Sequence, residues 1–101
     1  MSDPHASAFE ALGDPTRRAI LRELRSGPKA AGQIAEAFDL SKPTLSHHFK
    51  VLREAGLVRA ERSGTSIVYT LQANALEELA VEILDWAESR ERKARARKAA
   101  T

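Results

Sequence analysis

The chain has 101 residues, 43% of them hydrophobic and 30% charged, which is the size of one small domain. It has no apolar run long enough to span a bilayer, and its start, MSDPHASAFE, lacks the basic head and apolar stretch of a signal peptide, so a cytoplasmic location is expected. The absence of cysteine excludes disulfides, thiolate metal sites, cysteine nucleophiles and thiol redox sensing, and the net charge of +2 conceals four blocks of alternating sign.

A first helix is predicted from Pro4 to Leu12, where Ala8, Phe9, Ala11 and Leu12 recur at helical spacing and Gly13 stops the pattern. Asp14 followed by Pro15 starts a second: the carboxylate accepts an orphan backbone N–H, and proline gives up one that has no partner there. Ile20, Leu21 and Leu24 form its buried stripe, and Ser26, Gly27 and Pro28 end it. A third helix is expected from about Ala31 to Phe38, with Ile34, Ala35 and Phe38 inward and a tight turn at Asp39 and Leu40. Ser41 caps a fourth, Pro43 sits in its first turn, and Gly56 closes it in the left-handed conformation. Two helices joined by so short a turn form a helix-turn-helix.

After Gly56 the period becomes alternating. Val58 to Arg62 and Ile67 to Leu71 read as two strands around a turn at Ser63, Gly64 and Thr65. Asn74 with Glu77 resembles a capping box, and Leu76, Leu79, Ala80, Ile83, Leu84 and Ala87 give the last helix a long apolar stripe. Residues 1–89 are expected to form one domain; 90–101, RERKARARKAAT, lose the stripe and read as a frayed helix end or a disordered basic tail. The expected fold is therefore mainly α with a small β-hairpin: four helices, two strands and a final helix.

The charge blocks follow this order. Residues 1–15 carry three acids and no base, and 16–62 carry ten bases against five acids. Residues 63–89 carry five acids and no base, and 90–101 six bases against one acid. Two differently used surfaces are implied, the basic one suited to phosphate, although a solvated helix face has the same composition.

The adjacent His47 and His48 invite a metal or catalytic reading that helix geometry opposes. Neighbouring residues project about 100° apart and cannot grip one ion, and no third ligand stands at i+4 with suitable geometry. A serine–histidine pair with Ser46 fails similarly, with no orienting acid and no oxyanion loop, so no catalytic residue, metal or cofactor is expected and the chain does not read as an enzyme. Leu45, Phe49 and Leu52 occupy the inner side of the fourth helix, with His48 at their border. Pro43, Ser46, His47, Lys50 and Glu54 lie on the outer side. With Lys42 and Thr44, that side offers short donors and positive charge of the kind that enters a DNA major groove. His47 fits a base contact; His48 fits a half-buried, hydrogen-bonded packing residue.

The words LGDPTRRAIL, SKPTLSHHFKVLREAGLV and the YTL that ends the hairpin resemble the ArsR/SmtB family of winged helix-turn-helix repressors, over roughly residues 6–88. DPTRR and SKPTLSHH are most similar to its SdpR-type autorepressor branch. The resemblance implies a repressor of double-stranded DNA, its own promoter being one candidate operator. It also implies a homodimer paired through first and last helices, with recognition helices in successive major grooves of an inverted repeat. DNA-binding positions would be Lys42, Pro43, Thr44, Ser46, His47 and Lys50, with Arg62, Ser63, Gly64 and Thr65 at the wing tip. Dimerisation would use Phe9, Leu12, Leu76, Leu79, Ile83, Leu84 and Trp86; a stripe this long, with Trp86 near its end, independently fits a dimer, while a core-only reading stays open.

The family's metal sites do not fit. Glu36 and Phe38 stand where its third helix carries a Cys-x-Cys pair, and NALEELAVEILDWAES contains no histidine. Arg17, Arg18, Lys29, Lys50, Arg53 and Arg59 are candidate phosphate contacts, with ion pairs inside the chain as the alternative for Arg17 and Arg18. A reading from another class is a protein-interaction module, or a repressor sequestered by a protein partner through its acidic last helix. An unidentified effector is equally compatible, because a small-molecule pocket has no fixed motif.

Overall fold

The computed structural model describes the backbone of residues 3–100 and the side chains of residues 3–88. Nine elements follow in chain order: α1 (Ala6–Leu12), α2 (Pro15–Glu23), a 3₁₀ turn (Leu24–Ser26), β1 (Lys29–Ala30), α3 (Ala31–Phe38), α4 (Lys42–Glu54), β2 (Val58–Ser63), β3 (Ser66–Leu71) and α5 (Ala73–Ala100). The expected class is observed, mainly helical with a small sheet. The side chains of the basic segment 90–101, and those of Ser89 before it, lie outside the described residues.

The sheet has three strands in the order β1-β3-β2, all antiparallel. Sequence reading anticipated two. β1 is two residues long, Lys29 opposite Tyr69 and Ala30 opposite Val68, and so short a strand leaves no periodic trace. In the hairpin, Val58 faces Leu71 and Ser63 faces Ser66. Gly64, at φ 64°, takes the first position of the two-residue turn, where a hairpin that matches the strand twist wants a left-handed residue.

Ala8, Ala11, Ile20, Leu21, Leu24, Ile34, Leu45, Phe49, Leu52, Leu57, Val58, Tyr69 and Leu79 form one buried cluster drawn from every layer. Phe49 of α4 stacks on Tyr69 of β3, ring centroids 3.7 Å apart and planes 4° from parallel. That contact ties the helix to the wing.

Two expectations at helix ends are corrected. Asn74 does not cap the last helix: α5 already begins at Ala73, and the Gln72 carbonyl accepts from the amides of Ala75 and Leu76. The second helix ends as α-helix at Glu23 and tightens into a 3₁₀ turn before Gly27. At α3 only half of a capping box exists. The Gln33 side chain accepts from the Ala30 amide at 2.9 Å, and alanine has nothing to offer in return.

Candidate nucleic-acid interface

The turn between α3 and α4 sets the angle of the candidate recognition helix. Asp39 ends α3 at φ 49°, a left-handed position that aspartate tolerates better than most residues. Two residues later the Ser41 hydroxyl accepts from the Thr44 amide at 3.3 Å and donates to the Thr44 hydroxyl at 2.8 Å. The predicted cap is thus in place, with Pro43 in the first turn. Gly56 leaves the far end at φ 76°.

Leu45, Phe49 and Leu52 of α4 are buried, whereas Lys42, Pro43, Thr44, Ser46, His47 and Lys50 are all exposed. The helix shows solvent the face that sequence periodicity assigned to DNA. At the wing, Arg62, Ser63, Gly64 and Thr65 are likewise exposed. Among the described residues Lys42, Lys50, Arg53 and Arg62 form no salt bridge.

The other candidate phosphate contacts are engaged. Arg17 donates from Nε to the Ala11 carbonyl at 2.8 Å and from Nη2 to the Glu10 carbonyl at 3.1 Å; Arg18 donates to the Leu12 carbonyl at 2.7 Å. Both arginines close the C-terminal end of α1, and among the described residues neither makes the ion pair expected as the alternative. Their cations also oppose the negative end of the helix dipole. Arg59 pairs with Glu61 at 3.0 Å and Lys29 approaches Glu23 at 3.8 Å. The exposed Arg59–Glu61 pair is weak, about 0–1 kcal/mol, while Lys29 is half-buried.

The two histidines differ as their projection requires. His47 is exposed. The His48 side chain is only 12% exposed, and its Nδ1 lies 3.4 Å from Arg17 Nη1 and 3.9 Å from Asp14 Oδ2. Asp14 in turn caps α2 by accepting from the Arg17 amide at 3.0 Å. That hydrogen bond chiefly holds the Asp14 carboxyl below its ordinary value; partial burial opposes it, and the charges of His48 and Arg17 and the Thr16 amide add to the lowering. DPTRR and the second histidine therefore form one bracket joining α1, α2 and α4.

The part that Tyr69 plays in holding α4 was not anticipated from the sequence. Its place on the inward phase of β3, two residues before Leu71, was the available signal, but its partner Phe49 could be identified only once the sheet was known. Burial raises its hydroxyl above the ordinary value of 10.0, opposed by the nearby Arg53 charge.

The proposed dimer residues divide. Leu79, at 3% exposure, belongs to the core of its own domain, so it is not a free interface position. Phe9, Leu12 and Leu76 are half-buried against that core. Ile83, Leu84 and Trp86 remain 45%, 56% and 54% exposed, and Trp86 meets Phe9 at 5.8 Å between ring centroids, joining α1 to α5. Among the described residues no three His, Cys, Asp or Glu side chains gather as a metal site, and no helix is long and apolar enough to cross a membrane.

Residues 12–61, the turn and both its helices included, match the family model of a helix-turn-helix domain. The transcriptional repressor SdpR of Bacillus subtilis is 43% identical over 72 residues, 71% of this chain and 80% of that one. The chain belongs to the ArsR family of DNA-binding transcriptional regulators. Another such relative, the regulator Rv2034 of Mycobacterium tuberculosis, is 42% identical over 76 residues, 75% of this chain and 71% of its own. Among solved structures, an ArsR-like transcriptional regulator from a Rhodococcus species superimposes with a TM-score of 0.85 at 28% identity, over 97% of this chain and 92% of that one.

Proposed function

We propose that this ArsR-family chain is a repressor that occupies an inverted-repeat operator as a homodimer and senses no metal through the family's usual sites. The observation that carries this is the exposed face of α4. Lys42, Thr44, Ser46, His47 and Lys50 stand clear of the core on a helix whose other side is locked by the Phe49–Tyr69 stack. A helix so placed enters a major groove with short side chains near the base edges and lysines near phosphates, while Arg62 and the Gly64 turn reach the flanking backbone.

Pairing of two chains through α1 and α5 would cover Ile83, Leu84 and Trp86, large apolar groups that water otherwise meets. Two-fold symmetry would then set the recognition helices about 34–36 Å apart, one turn of DNA. The acids on α5 call for no cation: Glu82 lies 3.1 Å from His5 Nε2, and Glu77, Glu78 and Asp85 face water.

Lys42, Lys50 and Arg62 from two protomers would neutralise about six phosphates. Affinity should then fall about 10³-fold between roughly 50 and 200 mM salt. In a mobility-shift titration, Lys42→Gln with Lys50→Gln removes about four of those contacts and should flatten the salt slope by about 3.6. An unchanged slope in a variant that still sediments as the parent protein does would refute the assignment.

A further inference from the structure

Between α3, α4 and β3 lies a cleft of about 210 Å³, separate from the α1–α5 surface. Its inner wall is the buried trio Leu45, Phe49 and Tyr69, and Ile67, a large apolar side chain left 39% exposed, stands at its edge. On the α3 side the lining includes Gly32 and Ala35, whose small size leaves the space open; a Cβ added at Gly32 would meet nothing within 4 Å. Lys42 and Ser46 complete the rim, and none of the lining residues is acidic.

We infer that this cleft binds a small aromatic carboxylate, the ring between Ile67 and the Leu45–Phe49–Tyr69 wall and the carboxylate at the Lys42 ammonium and Ser46 hydroxyl. Size favours a single ring. A cavity of about 150 Å³ accepts benzene, while drug-sized ligands occupy roughly 300–1,000 Å³. Charge selects the acid: the rim holds one cation and a hydroxyl donor, and the first turn of α4 adds the positive end of its dipole. Lys42 and Ser46 are also the residues assigned to DNA. A bound carboxylate therefore competes with the operator, and at ten times its dissociation constant it should weaken DNA binding about tenfold per protomer. This effector role rests on the DNA-binding reading; the cleft's ligand does not.

Benzoate, titrated into the whole protein and followed by amide chemical shifts, tests the site without DNA. Saturable shifts confined to residues 31–35, 42–49 and 67–69 are expected, with a dissociation constant of about 1 mM for a ligand of this size. Benzylamine, of the same shape and opposite charge, should bind much more weakly. Gly32→Leu fills the cleft at a helical position where glycine is unfavourable, so it should fold at least as well and lose benzoate. Lys42→Gln should weaken benzoate about 2- to 5-fold, the range of an exposed ion pair. No saturable shift up to about 10 mM, equal binding of benzylamine, or full binding by Gly32→Leu would each overturn the site. Shifts with no release of bound DNA would overturn the effector role. Failure of the protein to bind any DNA would instead overturn the regulator reading and leave the benzoate titration to stand alone.

Discussion

Replacing Arg17 by methionine keeps the apolar stem and removes the guanidinium that closes α1. The Ala11 carbonyl is the critical partner. Ala11 is fully buried, and the residue four positions on, whose amide would serve a continuing helix, is Pro15, which has no N–H to give. Arg17 Nε, at 2.8 Å, supplies the missing donor. The Glu10 carbonyl is less dependent, because the Gly13 amide also reaches it at 3.0 Å. One charge-assisted bond to a buried acceptor and a second, more solvated one make the expected loss about 2 kcal/mol. For a chain of this size that lowers the melting temperature by about 8–16 °C. α1 has seven residues, too few to persist alone, so its amides should also lose exchange protection. Urea unfolding at fixed protein concentration measures the first effect and hydrogen exchange the second. Arg22→Met, on the exposed side of the same helix, is the control and should stay within about 0.5 kcal/mol of the parent. An Arg17→Met protein equally close to the parent would show that the bracket contributes nothing.

Titration supplies two further tests. Tyr69 is the single tyrosine, so phenolate absorbance reports it alone and should appear only above the ordinary value of 10.0. Its raised value means that the stability it contributes is complete below pH 10.0 and is lost as pH rises through the folded value; ionisation at or below 10.0 would contradict the burial of Tyr69. Asp14, held low, works in the opposite sense. Its ionisation stabilises the fold fully above 3.8 and ceases to do so as pH falls through the lower folded value. Asp14→Asn keeps a capping side chain but cannot titrate. The gap between parent and variant urea midpoints should therefore close as pH falls through the lowered folded value of Asp14; a gap that persists unchanged in acid would refute the mechanism.

The elements legible in the sequence were those whose signal is local. α4 could be read with both faces, because its buried stripe, serine cap and terminal glycine all lie within seventeen residues, Ser41–Leu57. The hairpin was equally plain, with Gly64 between two alternating runs. What was missed depends on the fold's long-range closure. β1 exists only because β3 lies beside Lys29 and Ala30. The carbonyls that Arg17 and Arg18 bind are six or seven residues back, across a turn whose angle no periodicity encodes. Leu79 and Ile83 share one apolar stripe, yet the core reaches the first and leaves the second exposed. Asn74 carried a genuine cap signal, but the helix had already begun at Ala73.

If two copies of α4 read one DNA duplex, selection of bound sequences from random DNA by the purified full chain should enrich an inverted repeat whose half-site centres are one helical turn, about 10–10.5 base pairs, apart. Recovery of no motif, or of a single unrepeated site, would contradict it.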